Sequence, residues 1–352
     1  MIASTIVVMG REAFSPTEST VRRIVTHTPL PRRLVVVDGG SPRAVARRLE
    51  SMARELDFTL VRRDALMSAN ESRNCGFAHV RTEFVVFVDN DLIVGPGWLE
   101  GLERCARQTG GEFVTPVVLW GPTGLDEVHF AGGFCRIVEV DGCPRLEDGG
   151  TRMHLAASAV ALLTREPTEL VELHCLLARR ECLERIGPFD ESLVAGREET
   201  DLSLFAAQYG WTAWLEPAVV VGYPSPKRLR PFDYGYYLPR WSDAWSDRSF
   251  RAFHRKWGLG DHATGERFRD GHRLRRIGRW PGSRPGWGGF RDRLAWKARR
   301  ALDVVVTPAA VMLADRRRRR AGPARVVHAA SWDQMPLGPC HASSRPTGSV
   351  SG

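Results

Sequence analysis

The run Glu83-Phe84-Val85-Val86-Phe87-Val88-Asp89-Asn90-Asp91 constrains this chain more than any other segment. A short apolar stretch of valine and phenylalanine fits a strand buried on both faces, inside a parallel sheet. Open α/β sheets take their ligands in the crevice beyond the carboxyl ends of their strands. Asp89 and Asp91 are therefore expected at the floor of such a crevice. Two carboxylates one residue apart repel each other unless a cation or hydrogen-bond donors share the site. Hard divalent ions such as Mg²⁺ and Mn²⁺ favour these oxygens and often also hold a diphosphate. Asp-x-Asp also occurs in ordinary turns and helix caps, and it is the position after a buried strand that gives it weight.

The flanking sequence alternates strand and helix patterns, which points to βαβ units. Strands are expected over Thr5–Met9, Arg33–Val37 and Phe84–Val88, with a weaker one over Phe58–Val61; helices are expected over Thr17–Thr26 and Pro42–Leu56. In Asp38-Gly39-Gly40-Ser41-Pro42, Ser41 is placed to cap the helix and Pro42 to begin it. Residues 111–150 read as strand and hairpin, with turn signals at Gly132-Gly133 and Asp141-Gly142. Val171–Leu177 reads as strand, Arg180–Ile186 and Asp201–Tyr209 as helices, and Trp214–Gly222 as strand. The Gly-x-Gly-x-x-Gly phosphate loop of dinucleotide enzymes is missing, so a metal is the expected phosphate holder.

Several side chains in this frame have chemistry to offer. Asp38 ends a strand beside Asp89, where a carboxylate either accepts from the N3–H of a uracil or thymine ring or caps its own turn. Arg73, in Asn70-Glu71-Ser72-Arg73-Asn74-Cys75-Gly76, offers a planar fork of donors suited to a diphosphate; the bland reading is a solvated helix arginine. Glu198, Glu199 and Asp201 crowd a helix start, which the helix dipole alone favours. Crowding also lifts carboxylate pKa values toward the range of a general base. Glu172 and His174 share one face of an expected strand. His174 is weighed as a metal ligand, with a structural role ahead by about two to one.

In this order the motifs resemble the family 2 glycosyltransferases of GT-A fold, from residue 4 to about 223 and more weakly to about 260. The resemblance rests on Val35-Val36-Val37-Asp38-Gly39-Gly40-Ser41, Arg73-Asn74-x-Gly76, Phe87-Val88-Asp89-Asn90-Asp91 and Val128-His129-Phe130-Ala131-Gly132-Gly133. It continues through Ile186-Gly187-Pro188-Phe189-Asp190-Glu191, Glu198-Glu199-Thr200-Asp201-Leu202, Arg240-Trp241-Ser242 and Phe253–Gly258. It implies an α/β, Rossmann-like, mostly parallel sheet flanked by helices, and an inverting transfer from a nucleotide-diphosphate sugar to a hydroxyl acceptor on a polysaccharide, glycolipid or metabolite. It also implies one divalent metal, Mn²⁺ or Mg²⁺. By match, Asp38 contacts the base, Asp89 the ribose or a metal-bound water, and Asp91 the metal. The family's catalytic aspartate falls on Glu199, with Glu198 beside it, and either is open as the base. Gly222-Tyr223 stands where members often carry a metal-binding histidine, a loss for which His174 is a candidate substitute. Met9-Gly10-Arg11-Glu12 replaces the family's Pro-x-Tyr-Asn.

Charge divides the chain. Residues 226–352 hold 27 Lys and Arg against 10 Asp and Glu, whereas residues 1–225 hold 23 against 31. The basic third suggests an anionic partner. Phe290–Val305 is amphipathic at helical spacing, and Arg316–Arg320 is a run of arginines, a combination suited to an anionic membrane surface. Equally, it suits a helix packed on its own domain. Interleaved aromatics and nucleic-acid modules are missing, so no specific nucleic-acid partner is expected. The scattered cysteines, odd in number and without Cys-x-x-Cys, argue against a zinc site or a disulfide framework. No apolar run approaches the ~20 residues needed to span a bilayer, and no secretory signal is expected ahead of the first strand. The expected location is cytoplasmic, with peripheral membrane contact. The expected organisation is a catalytic domain over 1–225, an accessory helical segment over 226–300, and a basic extension over 301–352 that is largely disordered. Two other functions compete: a non-catalytic nucleotide-sugar-binding protein on the same fold and, ranked lower, a polyanion-binding protein.

Overall fold

The computed structural model describes residues 2–28, 30–121, 125–224, 229–260, 271–277 and 290–333. The first half runs β1 (Ser4–Met9), α1 (Thr17–His27), β2 (Arg33–Gly39), α2 (Arg43–Leu56), β3 (Thr59–Arg63), α3 (Ala69–Phe77), β4 (Phe84–Asp89) and α4 (Trp98–Thr109). Next come β5 (Phe113–Gly121), β6 (Glu127–Phe130), β7 (Gly133–Val140), β8 (Cys143–Gly150), β9 (Glu166–Thr168), β10 (Cys175–Arg179), α5 (Arg180–Ile186), α6 (Glu198–Tyr209) and β11 (Ala213–Pro224). The chain continues through α7 (Tyr234–Arg240), α8 (Asp243–Trp257), α9 (residues 271–277), α10 (Phe290–Arg320) and β12 (Arg325–His328).

A ten-stranded sheet in the order β12-β3-β2-β1-β4-β10-β5-β11-β9, with β6 on β5, forms the centre. Strands β3, β2, β1 and β4 are mutually parallel, and β10 runs antiparallel between β4 and β5. Side chains alternate across a strand, so the sheet divides the core in two. Ile6, Val8, Leu34, Val36, Val86 and Val88 pack on one face, while Val7, Met9, Val35, Val37, Val85 and Phe87 pack on the other. Met9 lies opposite both Val37 and Asp89. The carboxyl ends of β1, β2 and β4 are thereby level and open onto one crevice. Because β10 is antiparallel, it is its amino end, just after His174, that reaches the same edge.

Helix α3 lies close against this parallel core because Gly76 has no side chain: a Cβ there would stand 2.3 Å from Val7 Cγ1. The β7–β8 hairpin turns at Asp141 and Gly142, both at positive φ, as a two-residue turn requires. Asp148 on β8 then accepts from Arg197 and Thr200, tying the hairpin to the start of α6.

Three expectations need correction. Ser41 does not cap α2: its hydroxyl donates to Asp38, and Pro42 takes the N-cap position. Glu172 and His174 precede β10, which begins only at Cys175; a turn, not strand alternation, brings them together. The extension over 301–352 was expected to be largely disordered, yet its described part, residues 301–333, is mostly helix and strand. Strand β12 pairs antiparallel with β3 and covers that edge of the sheet. Beyond it, Ser331 donates to Asp57, and Asp333 accepts from Thr59. Helix α10 buries Asp303, Thr307, Val311, Ala314 and Asp315, with Asp303 holding Arg276, Asp315 holding Arg248, and Arg318 holding Glu71 of α3. Low-periodicity composition hid these polar anchors. Residues 334–352 lie outside the described residues.

Candidate active site

Asp89 and Asp91 are buried at the end of β4. The Oδ1 atom of each is buried and has no hydrogen-bond partner among the described residues. Burial, then repulsion from Asp89 and Glu12, pushes the Asp91 carboxyl well above its usual range, with Arg11 opposing. Orphaned acceptors of this kind are costly unless a ligand meets them, and their hard-oxygen chemistry fits a divalent cation. Asn90, between them, faces away from that chemistry. Its amide donates to the Ala13 carbonyl and to Thr17 Oγ1, holding the loop that joins β1 to α1.

Asp38 faces a crevice shared with Gly10, Phe14, Ser41, Asn90 and Tyr236. Its carboxylate accepts from the Ser41 backbone and hydroxyl, and from Arg62, so it also closes its own turn. Gly40 completes that turn at φ +80°, where a Cβ would meet Ala65 backbone at 2.5 Å. Above, the Tyr236 hydroxyl shares its one proton between the carbonyls of Gly10 and Met67.

Arg73 is buried on α3. Its Nη1 donates to Asn70 at 2.8 Å, while its Nε has no partner among the described residues. Burial lowers the Arg73 pKa; Asp89 and Glu198 oppose that effect. Asn74 exchanges hydrogen bonds with the backbone of Phe189, and Asn70 donates to the Asp190 carbonyl. The Arg-Asn-x-Gly and Gly-Pro-Phe-Asp-Glu segments are therefore one clamp, with Arg73 set 5.8 Å from the Phe189 ring.

Glu198 and Glu199 occupy the first turn of α6, which begins three residues earlier than expected because Arg197 takes a left-handed N-cap conformation. Glu198 is buried and lies 3.8 Å from Arg240, and both its carboxylate oxygens are without a hydrogen-bond partner among the described residues. Glu199 is half-buried. Burial, then Glu198 and Glu172, raises its pKa. Asp201 points elsewhere and accepts from Lys256 and Trp257 of α8.

Four residues at the site were not singled out from the sequence. Arg11 donates to Asp89 at 3.2 Å and to His174. Burial pulls its pKa down, but Asp89 and then Tyr223, Glu199 and Glu172 outweigh this and hold it well above normal. His129, on β6, stacks edge-on against His174 at 5.1 Å. Tyr223, near the end of β11, lies 4.7 Å from His174 and donates to Glu12. Arg240, from α7, is the cation facing Glu198. The replacement of Pro-x-Tyr-Asn by Met9-Gly10-Arg11-Glu12 was a visible signal for Arg11; His129 stood inside the Val128–Gly133 motif, but without a role of its own.

His174 itself is buried and donates through Nδ1 to Glu172, whose pKa it lowers against the effect of burial. Since a guanidinium only donates, His174 Nε2 accepts from Arg11.

The family model for glycosyl transferase family 2 matches residues 4–184. Two curated relatives, the pre-mycofactocin glycosyltransferases of Mycobacterium tuberculosis strains CDC 1551 / Oshkosh and ATCC 25618 / H37Rv, are each 26% identical over 213 residues. Those matches take in 60% of this chain but only 41% of each relative. Among solved structures, GalNAc-T7 with UDP, GalNAc and Mn²⁺ aligns with a TM-score of 0.51 at 17% identity, over 77% of this chain and 54% of that one. S. aureus TarS 1-349 in complex with UDP-GlcNAc aligns with a TM-score of 0.50 at 12% identity, over 90% of this chain and 88% of that one. These two likenesses show a shared fold.

Proposed function

The chain belongs to glycosyl transferase family 2, and from that premise we propose that it transfers a sugar, with inversion, from a nucleotide-diphosphate sugar to a hydroxyl acceptor. One observation carries the reading: the two orphaned, buried carboxylate oxygens of Asp89 and Asp91 at the carboxyl edge of the parallel strands. GalNAc-T7 was solved with UDP and Mn²⁺, and TarS with UDP-GlcNAc, which makes a nucleotide sugar the natural ligand to test here. Asp91, with Asp89 beside it, would hold a Mn²⁺ or Mg²⁺ ion, which would supply positive charge to the diphosphate.

In this proposal Asp38 meets the base in the crevice closed by Phe14 and Tyr236. Arg73 turns its unpartnered Nε toward the diphosphate and stabilises the charge that develops as it leaves. Glu199 takes the proton of the acceptor hydroxyl while that oxygen attacks the anomeric carbon. A carboxylate with a raised pKa suits this role at neutral pH. Glu198, set against Arg240, positions the first turn of α6. The test is turnover of a panel of nucleotide sugars, read as nucleoside diphosphate release. Glu199→Gln is expected to bind donor and lose turnover; normal turnover in both Glu199→Gln and Glu198→Gln would sink the assignment.

Helix α10 supports a peripheral membrane contact. Between its buried residues it exposes Leu302, Val304, Val305, Met312 and Leu313, followed by exposed Arg316, Arg317, Arg319 and Arg320. An apolar row beside a cationic cluster fits an anionic bilayer surface. No helix among the described residues is long and apolar enough to cross a membrane.

A further inference from the structure

Beside the Asp-x-Asp turn, three side chains from separate places in the chain converge with metal-ligand chemistry. His129 comes from β6, which pairs with the carboxyl end of β5. Glu172 and His174 come from the turn that enters β10, where the His174 carbonyl accepts from the Asp89 backbone. One potential ligand atom from each of the three lies within 4.8 Å of the other two. Ligand atoms held about 2.1 Å from a tetrahedral ion stand roughly 3.4 Å apart, so the set closes once Arg11 gives up His174 Nε2 and the three side chains draw together. His174 is buried and the other two are half-buried. Tyr223 and Trp120 flank the imidazoles, at 4.7 Å from His174 and 5.7 Å from His129 respectively.

We propose that His129, Glu172 and His174 form a binding site for a divalent transition-metal ion, separate from the Asp89–Asp91 pair. Two imidazoles and one carboxylate select borderline ions such as Zn²⁺, Co²⁺ or Ni²⁺ over Mg²⁺ and Ca²⁺, which prefer oxygen. Asp89 and Asp91 offer oxygen alone, so the two sites differ in the metal they prefer. Arg11 stands between them, on Asp89 and His174 at once. Metal at the histidine site leaves the guanidinium to Asp89. The site does not depend on the transferase reading, because binding to it is a property of the unliganded protein.

The test is titration of the metal-stripped full chain with Co²⁺, read by its visible absorption, in wild type, His129→Ala, Glu172→Gln and Asp91→Asn. The wild type is expected to bind a Co²⁺ ion with nitrogen ligands, whether or not a second ion occupies the aspartates. His129→Ala and Glu172→Gln should each weaken binding at least ~10-fold, in line with the loss of a metal-site group, and Asp91→Asn should leave it within about 2-fold. Circular dichroism on each variant shows whether it is folded. Nitrogen couplings from Cu²⁺ in the wild type, read by pulsed electron paramagnetic resonance, test the imidazole ligands without any substitution. Failure of the wild type to bind Co²⁺, or to show nitrogen couplings, overturns the site. So does binding lost in Asp91→Asn but unchanged in folded His129→Ala, which places the only ion on the aspartates and leaves the transferase proposal standing.

Discussion

Glu198 and Arg240 face each other at 3.8 Å in the interior, and the carboxylate has no hydrogen-bond partner among the described residues to share its charge. The pair joins α6 to α7, and so links the part of the chain that carries the central sheet to the C-terminal helices. Breaking a buried pair by removing one partner costs about 3–5 kcal/mol, because the other charge is left stranded. Arg240→Ala is expected to lower stability by about 3 kcal/mol in denaturant unfolding. The double variant Arg240→Ala/Glu198→Gln should recover part of that loss. A single variant as stable as wild type would show that the pair is not holding the helices.

Glu199 gives a pH signature. Its folded pKa lies above its ordinary value of 4.5. Between that ordinary value and the raised one, the native state holds a proton that the unfolded state has lost, so stability falls as pH rises through that window. Glu199→Gln removes this titration. The variant should therefore melt higher than wild type at about pH 7 and match it below about pH 4, even as turnover drops by roughly 10²–10⁴-fold. Thermal melts of both proteins from mildly acidic to neutral pH check this, and a difference independent of pH would contradict it.

Gly76 is where Arg73 is positioned. A methyl group there meets Val7 at 2.3 Å, and overpacking of a core costs about 1–3 kcal/mol. Gly76→Ala should lose that much stability and, by lifting α3, weaken binding of a nucleoside diphosphate more than it weakens a nucleoside. Calorimetry with the two ligands separates these effects; equal affinities for both relative to wild type would remove Arg73 from the diphosphate site.

Much of this was legible in the chain, for identifiable reasons. Strands β1, β2 and β4 announce themselves as apolar runs, and Asp38, Asp89 and Asp91 follow at their ends. Arg73 was legible through its planar fork of donors and its place in Arg-Asn-x-Gly just before the Asp-x-Asp strand; that Gly76 lets its helix close on Val7 shows only in the structure. His129 was not, because only the pairing of β6 with β5 carries it to the edge where β10 begins, and pairing leaves no local mark. Strand β12 was hidden by its brevity among Pro, Gly and Ala residues. Helix α10 divides the difference: its amphipathic pattern showed, but the anchors on Asp303 and Asp315 depend on arginines far away in sequence.

Those anchors fix which face of α10 is presented. Val305 and Met312 are about two-thirds exposed and share one side at helical spacing. Val305→Glu/Met312→Glu should abolish co-sedimentation with vesicles rich in anionic lipid while leaving the fold intact. Raising salt should weaken binding of the wild type, since the arginine cluster acts through screened charge. Equal binding by the variant would place the contact elsewhere.

The donor site itself is tested most directly by thermal shift against nucleoside diphosphates and their sugars, with and without Mn²⁺, on wild type and Asp91→Asn. A ligand at about a hundred times its dissociation constant stabilises by about 2.7 kcal/mol, which is readily seen. The expected result is stabilisation by one nucleotide that requires the metal and disappears in Asp91→Asn. Stabilisation by no nucleotide, or the same shift in both proteins, would contradict a metal-assisted nucleotide-sugar site at the end of β4.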